Sequence, residues 1–235
     1  MFNYKTKVSY SKVDKEGLLS ISNVVDAMQD GCMFHNSAVG HSAINLLKKS
    51  RAWMVSSWHV IFDSRPKLDD IISVDAWIYQ LRGTFSAWNY SINDESGNRL
   101  AYADAKWFYA DPATGKPAKI DDEERNAYEL FPPIDMPQVS RKIECPDNMT
   151  FRYQLEVSPN YLDTNLHINN GQYIRLAVNA LPFDYKVHEL RAEYRKAARY
   201  GDTLYIYSTS IDDSYYVVFT DADKQPYFLS EFKSM

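Results

Sequence analysis

The chain has 235 residues, of which 45% are hydrophobic and 24% charged, so it can bury a sizeable core and is not disordered. Its formal net charge is −5 and its charges are not gathered into long like-charged blocks, which argues against a nucleic-acid-binding protein. No apolar run approaches the ~18 residues of a membrane helix, and the N-terminal residues lack the apolar core of a signal peptide. We therefore expect a cytoplasmic protein with no membrane span.

The first half of the chain predicts one strand, one helix and then a meander of further strands. Residues 4–10 alternate apolar and polar side chains, and a turn containing Asp14 and Gly17 follows. Apolar residues then recur at helical spacing: Ile21, Val24, Val25, Met28 and Cys32. Runs rich in β-branched and aromatic residues come next, at 71–79, 84–92 and 99–109.

A proline-rich stretch interrupts this pattern. Six of the ten prolines fall within residues 112–146, and such a density excludes long regular elements. We therefore divide the chain into an N-terminal unit, residues 1–111, a connector, residues 112–146, and a C-terminal unit, residues 147–235.

The C-terminal unit repeats the order of the first. Residues 151–157 alternate, a turn begins at Asp163, and apolar residues recur at helical spacing until Pro182 stops the helix. Strand-like runs follow at 188–195, 203–211, 215–220 and 226–232. A sheet with a single helix buries that helix only by wrapping around it.

The predicted fold class is therefore α+β, a tandem double hotdog in which two antiparallel sheets each wrap around a long helix. Known proteins of this architecture act on acyl thioesters, which is an analogy of fold and not of site. A tandem pair already completes a pseudo-dimer, and further association into a homodimer stays open.

The densest polar cluster lies just before the second predicted helix. Asp163, Asn165, His167 and Asn169 alternate with Thr, Leu and Ile, so an extended backbone would direct all four polar side chains to one side. The alternative is structural, with Asp163 closing a turn and Asn169 or Asn170 capping the helix. A histidine among four polar groups favours a functional wall.

Such a wall suits hydrolysis of a thioester, which needs a positioned water, a base near neutral pH and donors to the developing oxyanion. We assign the base to His167, orientation of the water or carbonyl to Asn165, and control of the imidazole tautomer to Asp163. Supporting or oxyanion donors are expected at the start of the following helix: Asn169, Asn170 and Gly171. The chemistry requires no metal or organic cofactor.

Two segments carry a resemblance to a known family. Residues 163–170, followed by Glu193-Tyr194-Arg195-Lys196, resemble the signature of the acyl-acyl carrier protein thioesterases of plant plastids and their bacterial relatives. Residues 107–117 are similar to that family's connection out of its first hotdog. The resemblance extends from about Tyr4 to Phe232 and implies hydrolysis of fatty acyl-acyl carrier protein to a free fatty acid, with catalytic residues at Asp163, Asn165 and His167.

The chain departs from the family after this second segment, where an acid and, in plant enzymes, a cysteine are usual. Here the positions hold Ala197 and Ala198. Glu193 lies four residues away, which is ~13 Å along a strand, so it does not replace the acid at Ala197. We expect a site reduced to the three motif residues, or an acid supplied by the N-terminal unit, and slower hydrolysis in either case.

The N-terminal unit has no second copy of the motif, because residues 14–18 read Asp-Lys-Glu-Gly-Leu. One active site per chain is therefore expected. The other histidines have no partner at motif spacing, and we predict packing or surface roles for them. They are His35, His41, His59 and His188.

An acidic carrier protein would need a local basic surface on this acidic chain. Four cations cluster after the motif, and they are the candidate docking residues: Arg191, Arg195, Lys196 and Arg199. A solvated strand edge explains them equally well. Two other functions stay open, namely an acyl-CoA thioesterase of the same fold and, because of Ala197, a non-catalytic module that binds acyl groups or the carrier.

Overall fold

The computed structural model describes residues 1–234, which form two compact units. The first unit contains residues 1–56 and 62–138, and the second contains residues 57–61 and the chain from Val139 onward. Within residues 1–234, no helix is long and apolar enough to cross a membrane.

The first unit is an antiparallel sheet with one long helix packed against it. Its elements are β1 (Phe2–Lys7), α1 (Ile21–Ala38), α2 (Ala43–Lys48), β2 (Ala52–Phe62), β3 (Ile71–Arg82), β4 (Phe85–Asn93), β5 (Arg99–Ala110) and α3 (Asp122–Asn126). Four strands are ordered β1-β3-β4-β5. The Tyr4 hydroxyl donates to the Ala27 carbonyl oxygen at 2.7 Å and ties β1 to α1. Gly31 permits close approach of α1 to β3, since a Cβ there would lie 3.3 Å from the Ala76 Cβ.

The second unit repeats this arrangement with a shorter helix. Its elements are β6 (Thr150–Glu156), α4 (Asn170–Val178), β7 (Val187–Tyr194), β8 (Thr203–Ile211), β9 (Ser214–Thr220) and β10 (Pro226–Ser234). Residues 57–61 of β2 pair with β7, and the order continues β7-β10-β9-β8-β6. The Tyr153 hydroxyl donates to the Leu176 carbonyl oxygen at 2.7 Å, which repeats the contact between β1 and α1.

In both halves a strand, a helix and a meander follow one another as predicted, but β2 was not among the predicted strand runs, and the helices differ in two ways. The first half has an additional helix, α2, which begins at an N-cap, Ser42, whose side chain accepts from the Asn45 N–H. In the second half α4 ends at Val178, well before Pro182. The Ala180 and Leu181 N–H groups donate to the carbonyl oxygens three residues earlier, which is the tighter hydrogen-bond pattern of a helix end.

The connector lies against the first unit through a buried carboxylate. Glu124 of α3 is 1% exposed and accepts from Trp53 Nε1 at 2.6 Å and from the Tyr128 hydroxyl at 3.1 Å, and its second oxygen contacts His41 Nδ1. The Tyr128 hydroxyl also contacts Asn36 Oδ1 of α1 at 2.9 Å. A single acidic side chain thus joins the connector to the helical and strand layers, and the ring of His41 is one of its polar partners.

Glu124→Ala should lower the free energy of unfolding by ~3 kcal/mol, because the half-buried Trp53 Nε1–H loses its acceptor and the buried His41 ring loses its carboxylate partner, while the Tyr128 hydroxyl keeps Asn36 Oδ1. Glu123→Ala is the matched control on the same helix. Glu123 is exposed and, among residues 1–234, its one ion pair is with Lys49, at 2.8 Å, so its loss should cost less than ~1 kcal/mol. Urea unfolding of both variants measures the difference, and equal midpoints would contradict the anchoring role of Glu124.

Candidate functional site

The segment from Asp163 to Asn169 forms a tight turn, as in the structural alternative, and not the extended backbone that would direct its four polar side chains to one side. The turn closes between Leu162 and Ile168, which form an antiparallel bridge. Inside it the Asp163 N–H donates to the His167 carbonyl oxygen at 2.8 Å, and Leu166 takes a φ of 59°. The local reason is that side-chain acceptors satisfy the turn's backbone donors, so the segment needs no neighbouring strand.

Asp163 is the side chain that stabilises this turn. Its Oδ1 accepts from the Asn165 N–H at 2.8 Å and from the His167 N–H at 3.3 Å, while its Oδ2 lies 3.4 Å from the Asn165 side-chain amide. The carboxylate therefore acts on the backbone of His167 and not on its ring, contrary to the expectation that it sets the imidazole tautomer. Its influence on the ring is electrostatic.

His167 is 7% exposed and sits on a bridge with Arg199. Burial lowers the pKa of its imidazole, the Asp163 carboxylate opposes that effect, and the Arg199 cation adds to it. The net shift is downward from the ordinary value of 6.5, so the ring is neutral at neutral pH. Within residues 1–234 its imidazole has no hydrogen-bond partner, which leaves a free basic nitrogen for a reaction.

The start of α4 is capped by its own chain. Asn169 is the N-cap, and its Oδ1 accepts from the Gly171 N–H at 2.9 Å. We expected that N–H to be open to an oxyanion, and the cap occupies it instead. The Asn170 carbonyl oxygen accepts from the Tyr194 hydroxyl at 3.0 Å, which fixes this helix end to β7. Among residues 1–234, no three His, Cys, Asp or Glu side chains are grouped to hold a metal ion.

The first unit contains the same turn without the histidine. Asp14 Oδ1 accepts from the Glu16 N–H at 2.9 Å and from the Leu18 N–H at 3.3 Å, and Gly17 has a φ of 72°. Glu16 and Leu18 thus stand where the second unit has Asn165 and His167. The aspartate is common to both turns and belongs to the scaffold, so the amide and the imidazole distinguish the candidate site.

The same comparison locates Ala197. The Leu19 N–H donates to the Pro66 carbonyl oxygen at 2.7 Å, as the Ile168 N–H does to Ala198 at 3.0 Å, so Pro66 matches Ala198. Arg65, one residue earlier, therefore matches Ala197, and its guanidinium contacts the Asp14 carboxylate. The corresponding position beside Asp163 carries only a methyl group.

Three charged residues that follow the motif bind the connector. Glu193 is 3% exposed and accepts from the Ile143 N–H at 2.8 Å, and Arg195 donates to the Ile143 carbonyl oxygen at 2.8 Å. Arg191 donates to the Ser140 carbonyl oxygen at 2.7 Å. These contacts agree with the expectation that Glu193 is not the replacement acid, and they give Arg191 and Arg195 a structural role.

The other two candidate docking cations are exposed. Lys196 lies 3.4 Å from Asp221 and 4.4 Å from the centre of the Tyr227 ring. Arg199 pairs with His167 at the bridge, and its backbone N–H donates to Asp202 Oδ2 at 2.9 Å. Both side chains are open to a partner, Arg199 more directly at the candidate site.

Tyr173 is a residue that sequence reasoning missed as part of the site. It is 2% exposed, and its hydroxyl oxygen accepts the Ala198 N–H at 3.0 Å, while the Ala198 carbonyl oxygen accepts from Ile168. The first unit needs no such acceptor, because Pro66 has no N–H, and Val24 occupies the place of Tyr173. The sequence signal is that valine and proline in the first unit are replaced together by tyrosine and alanine in the second. This joint replacement is visible only once the two units are aligned.

Taken together, the fold is a double hotdog, and the site is a buried neutral histidine on a turn before a capped helix. The sequence model of the acyl-ACP thioesterase N-terminal domain matches residues 1–128, and that of the acyl-ACP thioesterase C-terminal domain matches residues 145–225. The chain belongs to the acyl-ACP thioesterase family, where ACP is the acyl carrier protein. The predicted family and fold class are thereby confirmed.

Individual relatives are distant in sequence and close in fold. The chain is 24% identical over 214 residues to the chloroplastic palmitoyl-acyl carrier protein thioesterase of Arabidopsis thaliana, covering 83% of this chain and 52% of that protein. It spans about half the length of the curated plant relatives that it matches.

Two solved structures superpose over nearly the whole chain. An acyl-ACP thioesterase from Bacteroides thetaiotaomicron is 19% identical, with a TM-score of 0.88, covering 99% of this chain and 97% of that one. A 12:0-ACP thioesterase from Umbellularia californica is 20% identical, with a TM-score of 0.86, covering 100% and 96%. At these identities they show the double hotdog fold of this chain.

Tyr173→Phe should lower the free energy of unfolding by ~1–3 kcal/mol, because the Ala198 N–H stays buried without an acceptor. Adding Ala198→Pro removes that N–H, as Pro66 does at the matching position of the first unit, so the double variant should regain most of the loss. Urea unfolding of the wild type, both single variants and the double variant measures the coupling. A double variant with the summed loss of both singles would rule out this hydrogen bond as the cause.

Proposed function

We propose that this chain hydrolyses fatty acyl thioesters of acyl carrier protein to the free fatty acid and the carrier, with His167 as general base. The observation that carries the proposal is the state of His167: buried, neutral at neutral pH and without a hydrogen bond to its ring in the described chain. It lies in the segment that matches the family's C-terminal domain.

In the proposed reaction, His167 accepts a proton from water as that water attacks the thioester carbonyl. The Asn165 amide orients the water or the carbonyl oxygen, and the C–S bond breaks as the tetrahedral intermediate collapses. The departing thiolate takes up the proton that the imidazole holds, so the base is regenerated. Asp163 fixes the turn and stabilises the imidazolium through its charge.

We assign a supporting role to the start of α4, where the helix dipole favours developing negative charge. Asn169, Asn170 and Gly171 form this helix end, with Asn169 acting as the cap. The cap holds the helix terminus next to the turn of His167, so its contribution is positional as well as electrostatic. No cofactor enters the proposed reaction.

Ala197 favours a second candidate function, a module that binds acyl carrier protein without turnover. The methyl group leaves the catalytic residues without the acid that the family usually has there, so turnover should be slow. An acyl-CoA thioesterase is the third candidate, and it differs in needing no protein substrate.

The decisive measurement is free-thiol release from a panel of C8 to C18 acyl carrier proteins and the matching acyl-CoAs. Wild type should release thiol from acyl carrier protein above blank, and His167→Ala should reduce kcat by about 10²–10⁴-fold with an unchanged melting temperature. His188→Ala, a histidine outside the turn, is the matched control and should keep activity.

Three results would replace the proposal. Equal turnover of acyl-CoA and acyl carrier protein favours the acyl-CoA thioesterase. Binding of acyl carrier protein without thiol release favours the non-catalytic module. Full activity of His167→Ala removes the assigned base.

The pH dependence tests the state of the imidazole. Because the neutral ring is the base and its pKa lies below 6.5, kcat/KM for a small soluble acyl thioester should be complete above that value and fall as pH drops through the lowered pKa. Arg199→Leu removes a cation that lowers this pKa, so the acid limb should move to higher pH. Lys196→Leu is the control and should leave the limb in place. If Arg199→Leu leaves the acid limb in place, the group that titrates in the pH profile is not His167.

A further inference from the structure

Leu166 has a conformation and an exposure that the fold does not require. It lies at the tip of the turn with a φ of 59°, which is unfavourable for a residue with a Cβ, and it is 69% exposed. The same position in the first unit is Gly17, with a φ of 72°. Glycine would satisfy the backbone there, and the leucine side chain packs into no core, so an external contact accounts for it best.

A second exposed apolar residue stands beside it. Tyr200 is 66% exposed, and the antiparallel bridge between His167 and Arg199 places Tyr200 opposite Leu166 at the same end of that bridge. The first unit has the half-buried Leu68 at the position of Tyr200. The first unit thus has a glycine and a half-buried leucine at these two positions, whereas the unit that carries the histidine has two exposed apolar side chains.

The charge between these two residues selects the kind of partner. Arg199 is exposed and, within residues 1–234, forms no ion pair. The chain as a whole is acidic, with a formal net charge of −5, and Arg199 places an exposed positive charge beside the two apolar residues. An acidic protein is attracted to such a site more than to the rest of the surface.

We propose that Leu166, Tyr200 and Arg199 form the surface on which the acidic acyl carrier protein docks. The apolar pair packs against an apolar patch of the carrier, and the guanidinium pairs with one of its carboxylates. A carrier resting there places its flexible arm next to His167, as delivery of the thioester requires. This inference rests on the proposed function and names the contact surface of its protein substrate.

The test uses Leu166→Gly, which restores the residue of the first unit and relieves the positive φ, so the fold is retained. Kinetics are measured with acyl carrier protein and with the same acyl group on N-acetylcysteamine, which keeps the thioester and lacks the carrier. We expect KM for acyl carrier protein to rise about tenfold at unchanged kcat, with kcat/KM for the small thioester unchanged. Phe183→Ser removes an apolar side chain that is 82% exposed elsewhere in the second unit and should change neither value.

A binding measurement separates this proposal from the catalytic one. In the His167→Ala background, the affinity for acyl carrier protein is measured by calorimetry with and without Leu166→Gly, Tyr200→Ser and Arg199→Leu. About tenfold weaker binding in each variant, and a smaller salt dependence in Arg199→Leu alone, supports the docking surface. Unchanged affinity overturns it, as does an equal loss of kcat/KM for both substrates in Leu166→Gly. Thiol release by the wild type independently decides whether the protein is a hydrolase.

Discussion

One carboxylate that accepts two backbone N–H groups fixes the turn before each helix, and the candidate site depends on it. In the second unit Asp163 binds the amides of Asn165 and His167, which places the histidine on its bridge. Asp14 makes the same two bonds in the first unit, where no histidine follows. The aspartate is therefore a structural requirement of the repeat, and chemistry arises only from the residues that its turn carries.

The two units show how one scaffold supports different roles. In the first unit, glycine occupies the strained position of the turn, an arginine neutralises the aspartate, and a proline removes the need for a buried acceptor. The second unit replaces each of them, and the replacements are Leu166, Ala197 and Ala198 with its partner Tyr173. At Leu166, Ala197 and Ala198 the second unit lacks the stabilising feature that the first unit has. Only the buried Tyr173 hydroxyl compensates, because it accepts from the Ala198 N–H. Such local inconsistencies with the fold are typical of functional sites.

Charged residues in this chain separate into two groups that look alike in the sequence. Glu193, Arg191 and Arg195 lie on or just after β7 and bind backbone groups of residues 140–143, so their charges attach the connector. Arg199 lies only four residues further on, yet it stays exposed and lowers the pKa of His167. Arg191 and Arg195 are bound because residues 140–143 of the connector lie against them, whereas Arg199 lies beyond that segment. Arg199 is therefore the cation that remains available to a protein partner.

The sequence by itself determined the fold class and the family, and it predicted most of the strands and both long helices, because hydrophobic periodicity, turn residues and motif spacing are local signals. It also identified Asp163 as a possible turn former and Asn169 as a possible cap, both of which the structure contains. Only the tertiary structure decided that Arg191 and Arg195 bind the connector, and that Tyr173 supports Ala198. These features are hydrogen bonds between groups that lie far apart in the sequence. They exist only once the chain has folded and brought the donors and acceptors together.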